Sequence, residues 1–168
     1  IWGLLLVVFI AALVISPYFR RPYNLGNLIK QSGALLFASI GQTFVLLTAG
    51  IDLSVGSIIS MTVTFLARFV EPNPSSILAG VLLVLILGSL VGLINGLVIT
   101  RLKINPFMAT LATLSVIQGL AYMLSTRPRS VLPREFSPIF TGDIGPVPIP
   151  LILLVVVTIA GAVLLNHT

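Results

Sequence analysis

Six long apolar blocks set the limits on what this chain can become. They run roughly over Ile1–Ser16, Leu28–Gly50, Leu53–Val70, Ile77–Thr100, Pro106–Ser125 and Pro148–Leu165. A helix rises ~1.5 Å per residue, so ~20 apolar residues cross the ~30 Å hydrocarbon core of a bilayer. Each block comes close to that length except the first, which as Ile1–Ile15 would cover only ~22 Å. The eleven prolines all fall between blocks or in their first turns, where a missing N–H breaks no helical bond. Asn105-Pro106 reads as a helix cap followed by proline at the first helical position. The expected fold is all-α: a polytopic membrane protein of about six transmembrane helices.

Composition excludes most alternatives. Only 8% of residues are charged, against roughly a quarter in soluble domains, too few to cover a water-facing surface. The net charge of +5 raises the question of nucleic acid. Yet the nine Lys and Arg residues are scattered over the junctions between blocks, where membrane proteins ordinarily carry them, and form no basic stripe. No nucleic acid partner is expected; the lipid bilayer is. The absence of cysteine removes disulfides, thiolate metal sites and thiol catalysis. The single histidine, His167, sits beside the last residue without a ligand partner, so neither metal nor cofactor is expected. The chain starts inside an apolar run without the charged region and cleavage site of a signal peptide, and stops abruptly at Asn166-His167-Thr168. It is therefore expected to be a fragment, incomplete at both ends, with residues 1–168 forming part of one transmembrane domain.

The connections differ in kind. Pro17–Asn27 and Thr126–Val147 read as loops, Arg101-Leu102-Lys103 as a tight charged turn. At the junction of the second and third blocks there is almost nothing except Gly50, which closes the second, Ile51 and Asp52. Asp52 is one of four carboxylates in the chain, and two readings of it compete. In the first, Gly50 ends the second helix in a left-handed conformation, and Asp52 or Ser54 caps the first amides of the third, contributing roughly 1 kcal/mol. In the second, Asp52 carries a proton, a default suspicion for acids at membrane depth. Proton relays need partners, and no other acid and no histidine is expected within a helix, so capping is preferred.

Polar side chains are sorted to faces. Ser54, Ser57, Ser60 and Thr64 recur at three and four residues, and Ser32, Ser39 and Thr43 at seven and four with Gln42 adjacent, each set on one side of a helix. Thr110, Thr113 and Gln118 form a broader face. Such residues either hold membrane helices together or line a path. The path candidates are Gln42, Ser57, Asn95, Thr110, Thr113 and Gln118. Gly88, Gly92 and Gly96 repeat every fourth residue, a pattern that lets another backbone approach closely. No HExxH, GxSxG or phosphate-binding glycine loop is present, so no enzymatic activity is expected.

Gly50-Ile51-Asp52-Leu53-Ser54-Val55-Gly56 resembles the signature of the ribose/xylose/galactose-type permeases, the membrane subunits of bacterial ABC sugar importers. A second match runs from Asn95-Gly96-Leu97-Val98-Ile99-Thr100 through Leu102-Lys103-Ile104 and Pro106-Phe107 to Ala109-Thr110-Leu111. The resemblance extends over essentially the whole chain. It departs at Ala49, where the family commonly has glycine, at Asn105, at Gln118 and at Thr126-Arg127-Pro128. The resemblance implies a multi-pass subunit of the bacterial plasma membrane that pairs with a second permease subunit around a translocation path. Two cytoplasmic ATPase subunits would drive it by alternating access, and a secreted sugar-binding protein would deliver substrate. In that family the chain start and the turns at Gly50–Asp52 and Arg101–Lys103 face the cytoplasm. The basic residues argue the opposite orientation, since Arg20, Arg21, Lys30, Arg68, Arg127, Arg129 and Arg134 would all lie outside. A transporter driven by an ion gradient is the competing class; it would use the break at Gly50–Ser54 to hold its coupling ion.

Overall fold

The computed structural model describes residues 1–125, 135, 138, 141–145 and 147–167. Most of the Thr126–Val147 loop lies outside the described residues, including Arg127, Arg129 and Arg134, as does Thr168. The described residues form six helices and one short hairpin: α1 (Trp2–Ile15), α2 (Pro22–Leu47), α3 (Val55–Phe69), α4 (Pro74–Arg101), α5 (Pro106–Leu124), β1 (Asp143–Ile144), β2 (Val147–Pro148) and α6 (Ile149–His167). They cluster into two compact units, residues 1–37 with 141–168 and residues 38–140.

In the first unit, α1 ends at a turn where the Phe19 amide donates to Ser16 Oγ (3.3 Å) and the Phe9 and Phe19 rings meet edge to face at 5.6 Å. The loop expected over Pro17–Asn27 is short, because α2 already begins at Pro22. Proline suits a first helical position, so the helix starts there and runs through a polar turn before its apolar block. The end of the expected Thr126–Val147 loop carries a hairpin instead. β1 and β2 pair antiparallel, with Asp143 opposite Pro148 and Ile144 opposite Val147, and Gly145 takes the left-handed conformation (φ 63°). Lys30 Nζ on α2 meets Asp143 Oδ2 at 2.8 Å. Gly33 is buried, and a Cβ there would lie 3.5 Å from Pro150 Cβ on α6.

In the second unit, α3 packs mainly against α5, and α4 touches both. α4 opens on an Asn-Pro pair like the one that opens α5. Asn73 Oδ1 accepts from the Ser76 amide (2.8 Å) and Ser75 Oγ (2.9 Å), and the Glu71 amide donates to Ser76 Oγ (2.9 Å). At α5, Asn105 Oδ1 accepts from the Phe107 amide (2.9 Å), and Pro106 follows at the first helical position.

Among the described residues the apolar core is small: Leu66, Ile77, Ala109 and Ala121 are its buried hydrophobic members. The long helices instead turn most of their large apolar side chains outward. Water would penalise that surface by roughly 25 cal/mol per Å², whereas lipid tails accept it. α4, α5 and α6 are each long and apolar enough to cross a bilayer. α3 is apolar but has only 15 residues, ~22 Å of helix. The extended segment ahead of it supplies additional reach.

Candidate functional site

The break between α2 and α3 is built in two steps. First, α2 ends in a Schellman motif: the Gly50 amide donates to Val45 O (3.0 Å) and the Ala49 amide to Leu46 O (2.9 Å). The residue in the left-handed conformation is Ala49 (φ 56°), not Gly50 as the sequence suggested. Gly50 is glycine for a different reason. It is buried, and a Cβ there would sit 3.2 Å from Val45 Cγ1, 3.4 Å from Val45 O and 3.7 Å from Pro106 Cβ. Its missing side chain lets the turn lie against the start of α5.

Second, the chain runs without helix from Gly50 to Leu53. Unbonded backbone at membrane depth is costly, so its polar groups need partners within the protein. Thr110 on α5 supplies one, its hydroxyl donating to Ile51 O (3.1 Å) while also lying 2.8 Å from Pro106 O. Asp52 supplies the next. Its Oδ1 accepts from the Ser54 amide (2.8 Å) and the Ser54 hydroxyl (2.6 Å). The sequence had Asp52 or Ser54 capping the first amides of α3. Instead Ser54, which precedes α3, makes no side-chain cap bond, because its hydroxyl is committed to Asp52.

From Ser54 the polar contacts continue across two helices. Asn95 on α4 donates from Nδ2 to Ser54 Oγ (3.2 Å), and Thr113 on α5 donates to Asn95 Oδ1 (2.5 Å), its Oγ1 also lying 3.1 Å from Ala109 O. Ser57, one turn into α3, donates back to Ser54 O (2.8 Å). The result is a directed chain from Thr113 through Asn95 and Ser54 to Asp52. The carboxylate fixes its direction: an ionised Asp52 only accepts, so Ser54 must donate to it, and Ser54 Oγ is left to accept from the amide of Asn95. Ser54, Ser57, Asn95 and Thr110 are all buried. Among the described residues no buried side-chain nitrogen or oxygen lacks a partner. Asn95 lies six residues before the end of α4, so the network sits ~9 Å in from the helix end.

The structure thus brings together Gly50, Asp52, Ser54, Ser57, Asn95, Thr110 and Thr113. Gly56 is exposed and takes no part in the network. Gln42 on α2 and Gln118 on α5 are half-buried and also lie outside it. Gly88, Gly92 and Gly96 do not form a tight contact here, since nothing among the described residues lies within 4 Å of a Cβ added at any of them. The tight glycine of α4 is Gly80, which the sequence reading passed over. A Cβ there would collide with Val70 Cγ2 and crowd Leu66 Cδ2 at 3.1 Å.

A family described as "Branched-chain amino acid transport system / permease component" matches residues 24–168. The ribose import permease protein of Bacillus subtilis (strain 168) is 36% identical over 169 residues, covering 99% of this chain and 52% of the relative. That of Haemophilus influenzae is 31% identical over 170 residues, covering 97% and 52%. The galactose/methyl galactoside import permease protein of Escherichia coli (strain K12) is 30% identical over 131 residues, covering 71% and 39%. The chain therefore spans about half the length of the ribose permeases it matches. No solved structure matches it.

Proposed function

Since the chain belongs to the branched-chain amino acid transport system / permease component family, we propose that it is part of the membrane-spanning subunit of an ATP-driven sugar importer. The observation that carries this reading is the alignment of 97% and 99% of this chain with permeases named for ribose import. The protein is a multi-pass component of the plasma membrane. Hydrolysis would occur in a separate cytoplasmic ATPase, and a secreted sugar-binding protein would hand over the substrate. A second permease subunit would complete the path, with residues 1–168 contributing to one permease domain.

Within such a machine, the network of Asp52, Ser54, Asn95 and Thr113 would make α3, α4 and α5 move as one body. Alternating access needs rigid elements that shift against one another, and buried hydrogen bonds between membrane helices supply that stiffness. Ser57, Asn95, Thr110 and Thr113 would then serve the helix bundle. Gln42 and Gln118, half-buried and outside the network, remain the candidates for weak contacts to sugar hydroxyls in the path. Against the ion-driven alternative, Asp52 Oδ1 is already bonded to the amide and hydroxyl of Ser54.

The test is to delete the gene in frame in its native host and measure uptake of radiolabelled ribose, allose and galactose. Loss of uptake of one of these, restored by the intact gene, supports the reading. Uptake of all three at the parental rate would overturn it.

A further inference from the structure

The turn between α4 and α5 carries chemistry that the network and the transport reading leave unused. α4 and α5 are both of membrane-crossing length, so the four residues joining them lie at a membrane face. Leu102 is right-handed (φ −89°, ψ −5°) and Lys103 left-handed (φ 55°). Successive residues of that handedness turn their amides toward one point and form a concavity suited to an anion. The amides of Lys103 and Ile104 have no acceptor among the described residues, and Leu102, Lys103 and Ile104 are all exposed. Arg101 and Lys103 are exposed on either side of Leu102, and neither pairs with a carboxylate among the described residues. Asp52, the carboxylate of the neighbouring turn, is bonded to Ser54. Around the turn, Leu102 (66% exposed), Ile104 and Phe107 present apolar surface.

We propose that this turn binds the phosphate of an anionic phospholipid. The free amides and the two cations would hold the phosphodiester, and Leu102, Ile104 and Phe107 would lie along its acyl chains. The three features call for a ligand that is anionic at one end and apolar at the other. A free phosphate would use only the first two. The inference stands apart from which sugar is carried, and it holds for either orientation of the chain.

Native mass spectrometry of the intact permease, titrated with phosphatidylglycerol or phosphatidylcholine, tests it. Arg101→Gln removes one cation. Lys103→Gly removes the other while preserving the left-handed backbone, which glycine adopts without strain. Each substitution should weaken phosphatidylglycerol binding about fivefold, and the pair about 25-fold, with phosphatidylcholine unaffected. Equal binding of the two lipids by the parent protein, or parental phosphatidylglycerol binding by the double variant, overturns the proposal. Displacement of the lipid by millimolar inorganic phosphate also overturns it, assigning the turn to a soluble anion instead.

Discussion

Replacing Asp52 tests whether the network is a connected circuit or a set of separate contacts. Asp52→Ala removes the acceptor of two donors, the Ser54 amide and the Ser54 hydroxyl. The hydroxyl can recover. If Asn95 turns its amide over, Oδ1 accepts from Ser54 and Nδ2 donates to Thr113, whose own hydroxyl keeps Ala109 O (3.1 Å). Only the Ser54 amide is then orphaned, at about 1–3 kcal/mol. Asn95→Leu removes two interhelical bonds and orphans nothing, since Ser54 keeps Asp52 and Thr113 keeps Ala109; at about 0.6 kcal/mol per bond in a membrane it costs about 1 kcal/mol. In the double variant the Ser54 hydroxyl, fully buried, has no rescuer, and the loss should exceed the sum of the singles by about 1–3 kcal/mol. The measurement is reversible unfolding of the intact protein in mixed micelles by titration with dodecyl sulfate. Additivity within about 0.5 kcal/mol would refute the circuit, because independent sites add to that accuracy.

Asp52→Asn keeps an oxygen for both Ser54 donors and loses only their charge assistance, so it should cost about 1–2 kcal/mol and leave transport partly intact; complete loss of uptake in a stably folded variant would restore the proton-carrying reading. Ala49→Gly should stabilise by about 0.5–1 kcal/mol, the left-handed penalty of alanine less the entropy that glycine loses on folding. Gly80→Ala should destabilise by about 1–3 kcal/mol, as Leu66 and Val70 must give way, and a melting curve unchanged from the parent would contradict the packing. For orientation, the 168 residues lack cysteine, so a single cysteine at Arg129 can be labelled in intact cells with an impermeant thiol reagent. The family orientation predicts labelling from outside, and labelling only after lysis would reverse it.

The membrane nature of the chain, its helices and most of their ends were legible in the sequence because they are decided locally. A bilayer obliges each segment to satisfy its own backbone, so a run of apolar residues closed by proline states its structure without reference to neighbours. Asn105-Pro106 was legible in the same way, and Asn73-Pro74 carries the same signal. The start of α2 at Pro22 was missed because its first turn is polar and hydropathy marks only the embedded part of a helix. The Asp143–Pro148 hairpin was missed because its strands have two residues each, too few to show alternation.

The candidate site was legible as a set of residues but not as an arrangement. Asp52, Ser54, Asn95 and Thr113 stood out because polar groups are rare and costly in apolar segments. That Asn95 bonds to a neighbouring helix emerged only with α3, α4 and α5 packed together, since Ser54 lies 41 residues away from it in sequence. Likewise the glycine repeat at 88, 92 and 96 announced close packing, yet the close approach falls at Gly80, and the left-handed residue is Ala49 rather than Gly50. Sequence by itself determined which segments are helical, since each must satisfy its backbone alone in lipid. Tertiary structure decided which polar groups meet and which glycines are tight, because those depend on distances between segments that no local pattern encodes.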